Sequence, residues 1–189
     1  MFKKYLILVF ILRSVILWMQ TGINPFVFGR TEKAHDYVGR VYKLMVLITW
    51  ISICIYSFFP DWYQYLMPIN YMEHSWLQFS GMILLLISFL WTSIAQYQMS
   101  TSWRIGIDYT EKTELILHGL FKYSRNPIFL GVLISYLGTF LIIPNTLSFS
   151  ILLVTFVAIQ TQVRLEEEYL TSVHGDQYDL YMTKVRRWI

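Results

Sequence analysis

The chain has 189 residues, 56% of them hydrophobic and only 14% charged, where a soluble domain carries about 25% charged residues. Its net charge of +3 comes without a dense basic run, which argues against nucleic acid as a partner, and the single cysteine, Cys54, excludes an intramolecular disulfide. The apolar residues fall in blocks close to the ~20 residues that cross a bilayer, so the expected fold is an all-α integral membrane protein. Seven Trp and fourteen Tyr suit two interfacial belts, where amphipathic rings sit at headgroup level.

The first apolar block covers about 5–28. Arg13 interrupts it, Pro25 limits its end, and no small-x-small site follows at Met19 to Gly22, so it reads as a retained anchor and not as a cleaved signal. A second span covers about 41–59, with Lys43 its only charge, and a third about 75–97. From Asn126 to Val163 no residue is charged. That run is too long for one ordinary span, and Pro144-Asn145 near its middle is a turn signal. It divides into helices over about 127–143 and 146–163, a tight helical hairpin, which brings the expectation to about five spans in one membrane domain. Residues 1–97 form three spans, and 98–189 form a core around the hairpin. After the fifth span the chain turns charged, while Leu165, Tyr169, Val173 and Tyr181 keep near-helical spacing. This predicts a C-terminal helix that continues or bends from the last span, interrupted at Gly175.

Charge sets an orientation. One loop carries Arg30, Lys33, Arg40 and Lys43, a second carries Arg104, Lys112, Lys122 and Arg125, and the tail carries Lys184, Arg186 and Arg187. The connection over 60–74 and the Pro144 turn contain no Lys or Arg. Positive loops remain cytoplasmic, so both basic loops and the C-terminal helix are expected on the inner face.

Two stretches on that face hold groups suited to chemistry. The first runs from His118 to Gly131; the second holds Arg164 to Leu170 and then His174 to Tyr181. They flank the hairpin, whose antiparallel arms return both to one membrane face. No pair of His or Cys has metal-ligand spacing, so no metal is expected. Glu168 can pair with Arg164 at i,i+4, which assigns it to a solvated helix face.

In order and spacing these stretches resemble the isoprenylcysteine carboxyl methyltransferase family and its phospholipid methyltransferase relatives. The shared elements are Gly119 to Phe121, Arg125-Asn126-Pro127-Ile128-Phe129, then a hairpin, then Glu166-Glu167 with Leu170, then Gly175, Tyr178 and Tyr181. Ser102 to Asp108 is similar to an element of bacterial members, and the likeness covers about 98–187. Asn126 stands where many members have histidine, and Phe129 where tyrosine is common.

The resemblance implies an S-adenosylmethionine-dependent enzyme, an O- or N-methyltransferase acting at the cytoplasmic face of a bacterial inner membrane. Its acceptor would be a lipid or lipophilic small molecule, such as a carboxylate of the isoprenylcysteine kind. It also implies a cofactor site of His118, Gly119, Leu120, Tyr123, Arg125, Asn126, Pro127, Phe129, Glu166 and Glu167, with Arg125 and Glu167 central to catalysis and Arg104 a candidate partner for an acceptor carboxylate. The residue types fit. Glu166 and Glu167 supply negative charge for the cofactor's cationic parts, and Arg125 can pair bidentately with a carboxylate. Pro127 suits a first helical position, at a helix end that attracts anions. Tyr123, Phe121 and Phe129 can line an adenine slot, and Gly119 permits close backbone approach. Two other functions fit a chain of this kind. One is a membrane reductase using a nicotinamide cofactor, with Lys184, Arg186 and Arg187 available for a 2′-phosphate. The other is a non-catalytic membrane subunit.

Overall fold

The computed structural model describes residues 34–99 and 115–189. The first expected span with Arg13, and the loop that holds Trp103, Arg104 and Lys112, lie outside the described residues. The regular elements within them are helices: α1 (Ala34–Phe58), the short α2 (Pro60–Tyr63), α3 (Ser75–Met99), α4 (Pro127–Ile142), α5 (Thr146–His174) and α6 (Asp176–Lys184).

Among the described residues, three helices are long and apolar enough to cross a bilayer: Asp36–Phe58, Ser75–Met99 and Thr146–His174. α4 is apolar but has 16 residues, a length of about 24 Å against a hydrocarbon core of about 30 Å. α5 has 29 residues, about 43 Å. Its charged turns from Arg164 onward therefore project past the hydrocarbon, and the fifth span and the charged helix are one continuous rod. Gly175, at φ +52°, ends that rod and starts α6.

The hairpin forms because Pro144 cannot continue a helix and Asn145 starts the next one. The Asn145 side chain accepts from the Ser148 N–H at 2.8 Å, and the Ser148 hydroxyl accepts from the Asn145 N–H at 3.2 Å. This reciprocal cap satisfies two donors that the helix start leaves unpaired. The connection between α1 and α3 is tied to the same turn. Ile69 N–H donates to the Pro144 carbonyl at 2.8 Å and Thr146 N–H to the Met67 carbonyl at 3.1 Å. The Lys- and Arg-free connections thus share one end of the bundle. The loop over 115–126 and the C-terminal tail share the other.

Lipid is as apolar as Leu, so helix association in a membrane relies on close packing. α3 and α4 meet along buried, mostly small residues spaced alternately three and four apart: Gly81, Leu85, Ser88, Thr92 and Ala95 on one helix, Gly131, Ser135, Gly138 and Ile142 on the other. At the Gly81–Gly138 crossing a Cβ on either glycine would lie 2.6 or 2.8 Å from the other's carbonyl oxygen. Beside it, Ile53, Tyr56, Leu85, Ile142 and Ile143 form the core, with Tyr63 packed against it. Leu47, Ile51, Phe79, Leu86, Leu90 and Val157 point outward, as lipid-facing side chains do.

Substituting Gly138→Leu should force the α3–α4 seam apart and cost about 1–3 kcal/mol. Thermal unfolding in detergent checks this; the outward-facing Leu137→Ala serves as comparison and should shift the midpoint much less.

Candidate active site at the α4 entry

At the end of the bundle opposite the hairpin, three segments converge: the entry to α4, the projecting turns of α5, and the tail after α6. The entry begins with the 3-10 turn Gly119–Lys122. Gly119 has φ +62°, a left-handed conformation open to glycine, and a Cβ there would strike the end of the Gln98 side chain. Gln98 Oε1 accepts from the Leu120 N–H at 2.7 Å, which fixes this turn to the last turn of α3. Trp91 makes a second tie, its indole Nε1 donating to the Pro127 carbonyl at 2.9 Å.

Arg125 is held on every side. Its backbone N–H donates to the Arg186 carbonyl at 3.0 Å. Its Nη1 donates to the Val185 and Met182 carbonyls at 2.7 and 3.2 Å. Its Nε and Nη2 donate to Glu167 Oε1 at 3.1 and 2.8 Å. Glu167 lies on α5 below the buried stripe Thr155, Ile159 and Val163, and its carboxylate has a second cation. Arg187 Nε donates to both Oε1 and Oε2 at 3.1 Å, and its Nη2 to Oε2 at 2.6 Å. Tail and entry turn are joined again where Ser124 Oγ and Asn126 Nδ2 each donate to the Arg187 carbonyl at 3.3 Å. Below them Tyr181 Oη donates to the Phe121 carbonyl at 2.6 Å, and Tyr178 packs its ring 5.9 Å from that of Tyr181.

The structure therefore joins Arg125 and Glu167, two residues from opposite arms of the hairpin. Asn126 and Pro127 are buried with them, and Pro127 takes the first position of α4. No side chain caps this helix start, which leaves its first-turn N–H groups without a side-chain acceptor. Phe129 and Glu166 are half-buried, while His118 and Tyr123 are exposed. Phe121 is buried, and its carbonyl serves Tyr181. Two contributors carry no local sequence signal for this role: Arg187, which the basic tail presents as an orientation signal and, with Lys184 and Arg186, as a group for a 2′-phosphate, and Gln98, which looks like an ordinary polar residue at a span end. One expectation changes. Arg164 does not reach forward to Glu168; its Nη1 donates back to the Gln160 carbonyl and side chain at 2.9 and 3.2 Å, and Glu168 stays exposed.

The two neighbouring carboxyls are driven in opposite directions. Burial alone would raise Glu167, but hydrogen bonds from Arg187 and Arg125, and their charges, hold it below the ordinary carboxyl range. Glu166 has no such compensation. Burial, and then the charge of Glu167, push it from 4.5 up to about 7. Burial also pushes the Tyr181 hydroxyl up to about 12. Of these two neighbours on α5, Glu167 is held as an anion below the ordinary carboxyl range, and Glu166 titrates near neutrality.

With this geometry in view, the likeness to known proteins can be placed. The phospholipid methyltransferase family pattern matches residues 76–177, more than half of the chain, including α3 from its second residue, the α4 entry, α4 and α5. The chain belongs to the phospholipid methyltransferase family. A protein-S-isoprenylcysteine O-methyltransferase of Schizosaccharomyces pombe is 38% identical over 74 residues, covering 38% of this chain and 30% of that protein. A probable protein-S-isoprenylcysteine O-methyltransferase of Oryza sativa subsp. indica is 28% identical over 118 residues, 60% of this chain and 61% of its own length. The chain thus spans about a third to three fifths of the curated relatives it matches. A solved structure, that of the eukaryotic intramembrane Ras methyltransferase ICMT (isoprenylcysteine carboxyl methyltransferase), superposes with a TM-score of 0.61 at 21% identity. It covers 87% of this chain and 54% of that one, and it establishes a shared membrane-helix fold.

The opposed carboxyl shifts set a pH dependence. A carboxyl raised in the folded state binds more protons there than in the unfolded chain, so stability falls as pH rises from 4.5 to about 7. A lowered carboxyl does the reverse and lends stability that is lost only as pH drops below the ordinary carboxyl range. Glu166→Gln should therefore flatten the decline of the unfolding midpoint between pH 5 and 7 that the wild type shows; identical slopes for the two proteins would refute the assignment.

Proposed function

We propose that the protein is an S-adenosylmethionine-dependent methyltransferase of the membrane, acting on a lipid or lipid-like acceptor, with its site at the end of the bundle where Arg125 meets Glu167. That meeting is the observation that carries the reading. Both residues belong to the family-matched segment, stand on either side of the hairpin, and form a buried pair at 2.8 Å. The relatives named as isoprenylcysteine O-methyltransferases support methyl transfer, and a prenylated carboxylate as one acceptor class. The absence of Lys and Arg from the opposite connections supports a cytoplasmic site.

The residues present fit the cofactor's demands. The uncapped start of α4 offers backbone donors to an anion. Glu166 offers a carboxylate to a cation. Tyr123 and Phe129 offer rings near the entry turn, and the left-handed Gly119 keeps the backbone there bare of a side chain. When bound, S-adenosylmethionine supplies a methyl group activated by its sulfonium. The protein's task is to align the reactants and exclude water, a contribution of up to ~7–11 kcal/mol in favourable cases. Arg125 and Glu167 act here as positioning residues: their pair fixes the α4 entry against α5, so the groups on both segments keep one geometry. A carboxylate acceptor needs no general base, since it is already ionised near neutrality. For an amine acceptor, Glu166, titrating at about 7, is suited to take the proton. The depth of the site suits a lipid acceptor. The α4 entry begins about 24 Å from the hairpin turn, within a few ångströms of the headgroup boundary, where an acyl or prenyl chain can remain in the bilayer while its polar end reaches the site.

Purified protein incubated with methyl-labelled S-adenosylmethionine and a lipid extract should transfer label to a lipid-soluble product identifiable by mass. It should also bind S-adenosylhomocysteine in calorimetry. Well-folded protein that does neither would end this reading.

A further inference from the structure

Of the two arginines on Glu167, Arg125 keeps a single N–H to spare and Arg187 keeps enough for a two-point fork. A guanidinium carries five N–H groups. Arg125 commits four of them, two to Glu167 and two to the Val185 and Met182 carbonyls, and its side chain is only 10% exposed. Arg187 is different. Its Nε and one N–H of Nη2 hold Glu167, its Nη1 has no partner among the described residues, and its side chain is 34% exposed. The free Nη1–Nη2 edge presents one N–H from each nitrogen in the fork that matches a carboxylate. Glu167 locks the adjoining Nε–Nη2 edge, so the free edge is already oriented and little entropy remains to be lost on binding. On α5 the neighbour of Glu167 is Glu166, close enough to feel its charge, and no described cation neutralises its carboxyl.

An anion fork beside an uncompensated carboxyl is the arrangement that recognises an α-amino acid, which carries a carboxylate and an ammonium on adjoining atoms. Resting on the methyltransferase reading, we infer that Arg187 holds the carboxylate of the cofactor's amino-acid end, while Arg125 serves as scaffold. An acceptor carboxylate would need the fork alone and leaves Glu166 without a role. The tail is thereby part of the binding site, although it lies beyond the family-matched segment.

The test compares two ligands by calorimetry: S-adenosylhomocysteine and its decarboxylated counterpart, which keeps the adenosine and the ammonium. Wild-type protein should prefer the carboxylate-bearing ligand by roughly 10- to 100-fold, as expected for charge-assisted hydrogen bonds. Arg187→Gln should abolish that preference and leave the affinity for the decarboxylated ligand unchanged. Arg187→Lys, which keeps the charge and loses the fork, should fold and show an intermediate preference; it decides the matter if the Gln variant does not fold. A full wild-type preference in either folded variant, or an equal loss of affinity for both ligands, overturns the inference and leaves the methyltransferase reading standing. Wild-type protein that binds neither ligand removes that reading, and this inference with it.

Discussion

A carboxylate removed from water is costly unless cations and hydrogen bonds replace its hydration. Glu167 is 7% exposed and meets that requirement with two guanidinium groups. Each comes from a different segment, Arg125 from the α4 entry and Arg187 from the tail, while Glu167 itself stands on α5. The interaction is therefore also a joint between three pieces of chain that sequence distance keeps far apart. The carbonyls of Met182, Val185, Arg186 and Arg187 complete it by accepting from Arg125, Ser124 and Asn126. If the joint is lost, two cations are left in a low-dielectric recess and the tail has no anchor.

The rest of the bundle delivers the joint to its place. The capped Pro144-Asn145 turn holds α4 and α5 antiparallel, and the Met67–Ile69 segment braces that turn from outside. The small-residue seam brings α3 so close to α4 that Gln98 and Trp91 can grip the entry turn. α4 stops short of the membrane's full thickness while α5 runs beyond it. The two meet at one end of the bundle, the setting that the proposed reaction between a polar cofactor and a lipid acceptor requires.

Much of this was legible in the residues. The uncharged run from Asn126 to Val163 broke where Pro144 and Asn145 said it would, because proline cannot continue a helix and asparagine caps the next. Pro127 marked the start of α4, and Gly175 the end of α5. The nearness of Arg125 and Glu167 followed from antiparallel arms returning to one face, but their direct pairing did not, since both were expected to face a ligand. What could not be read was set by tertiary contact. Local pattern offers Arg164 a partner at Glu168, yet the guanidinium turns back to Gln160. Nothing in the composition of the tail distinguishes Arg187 from Arg186, because the difference lies in which one α6 turns toward Glu167. Gln98 matters only because a left-handed Gly119 leaves room for its side chain. The membrane-facing surfaces were legible as a class, but the α3–α4 seam shows itself only once Gly81 and Gly138 are seen to touch.

The coupling between Arg125 and Glu167 holds the three segments together, and a double-mutant cycle measures it directly. Arg125→Gln, Glu167→Gln and the double variant would be unfolded thermally in detergent, beside the wild type. The account predicts that each single change is costly, that the second adds little once the first is made, and that the coupling lies within about 0.5–3 kcal/mol. Additive effects of the two substitutions would mean that the charges do not depend on each other, and would contradict the central claim.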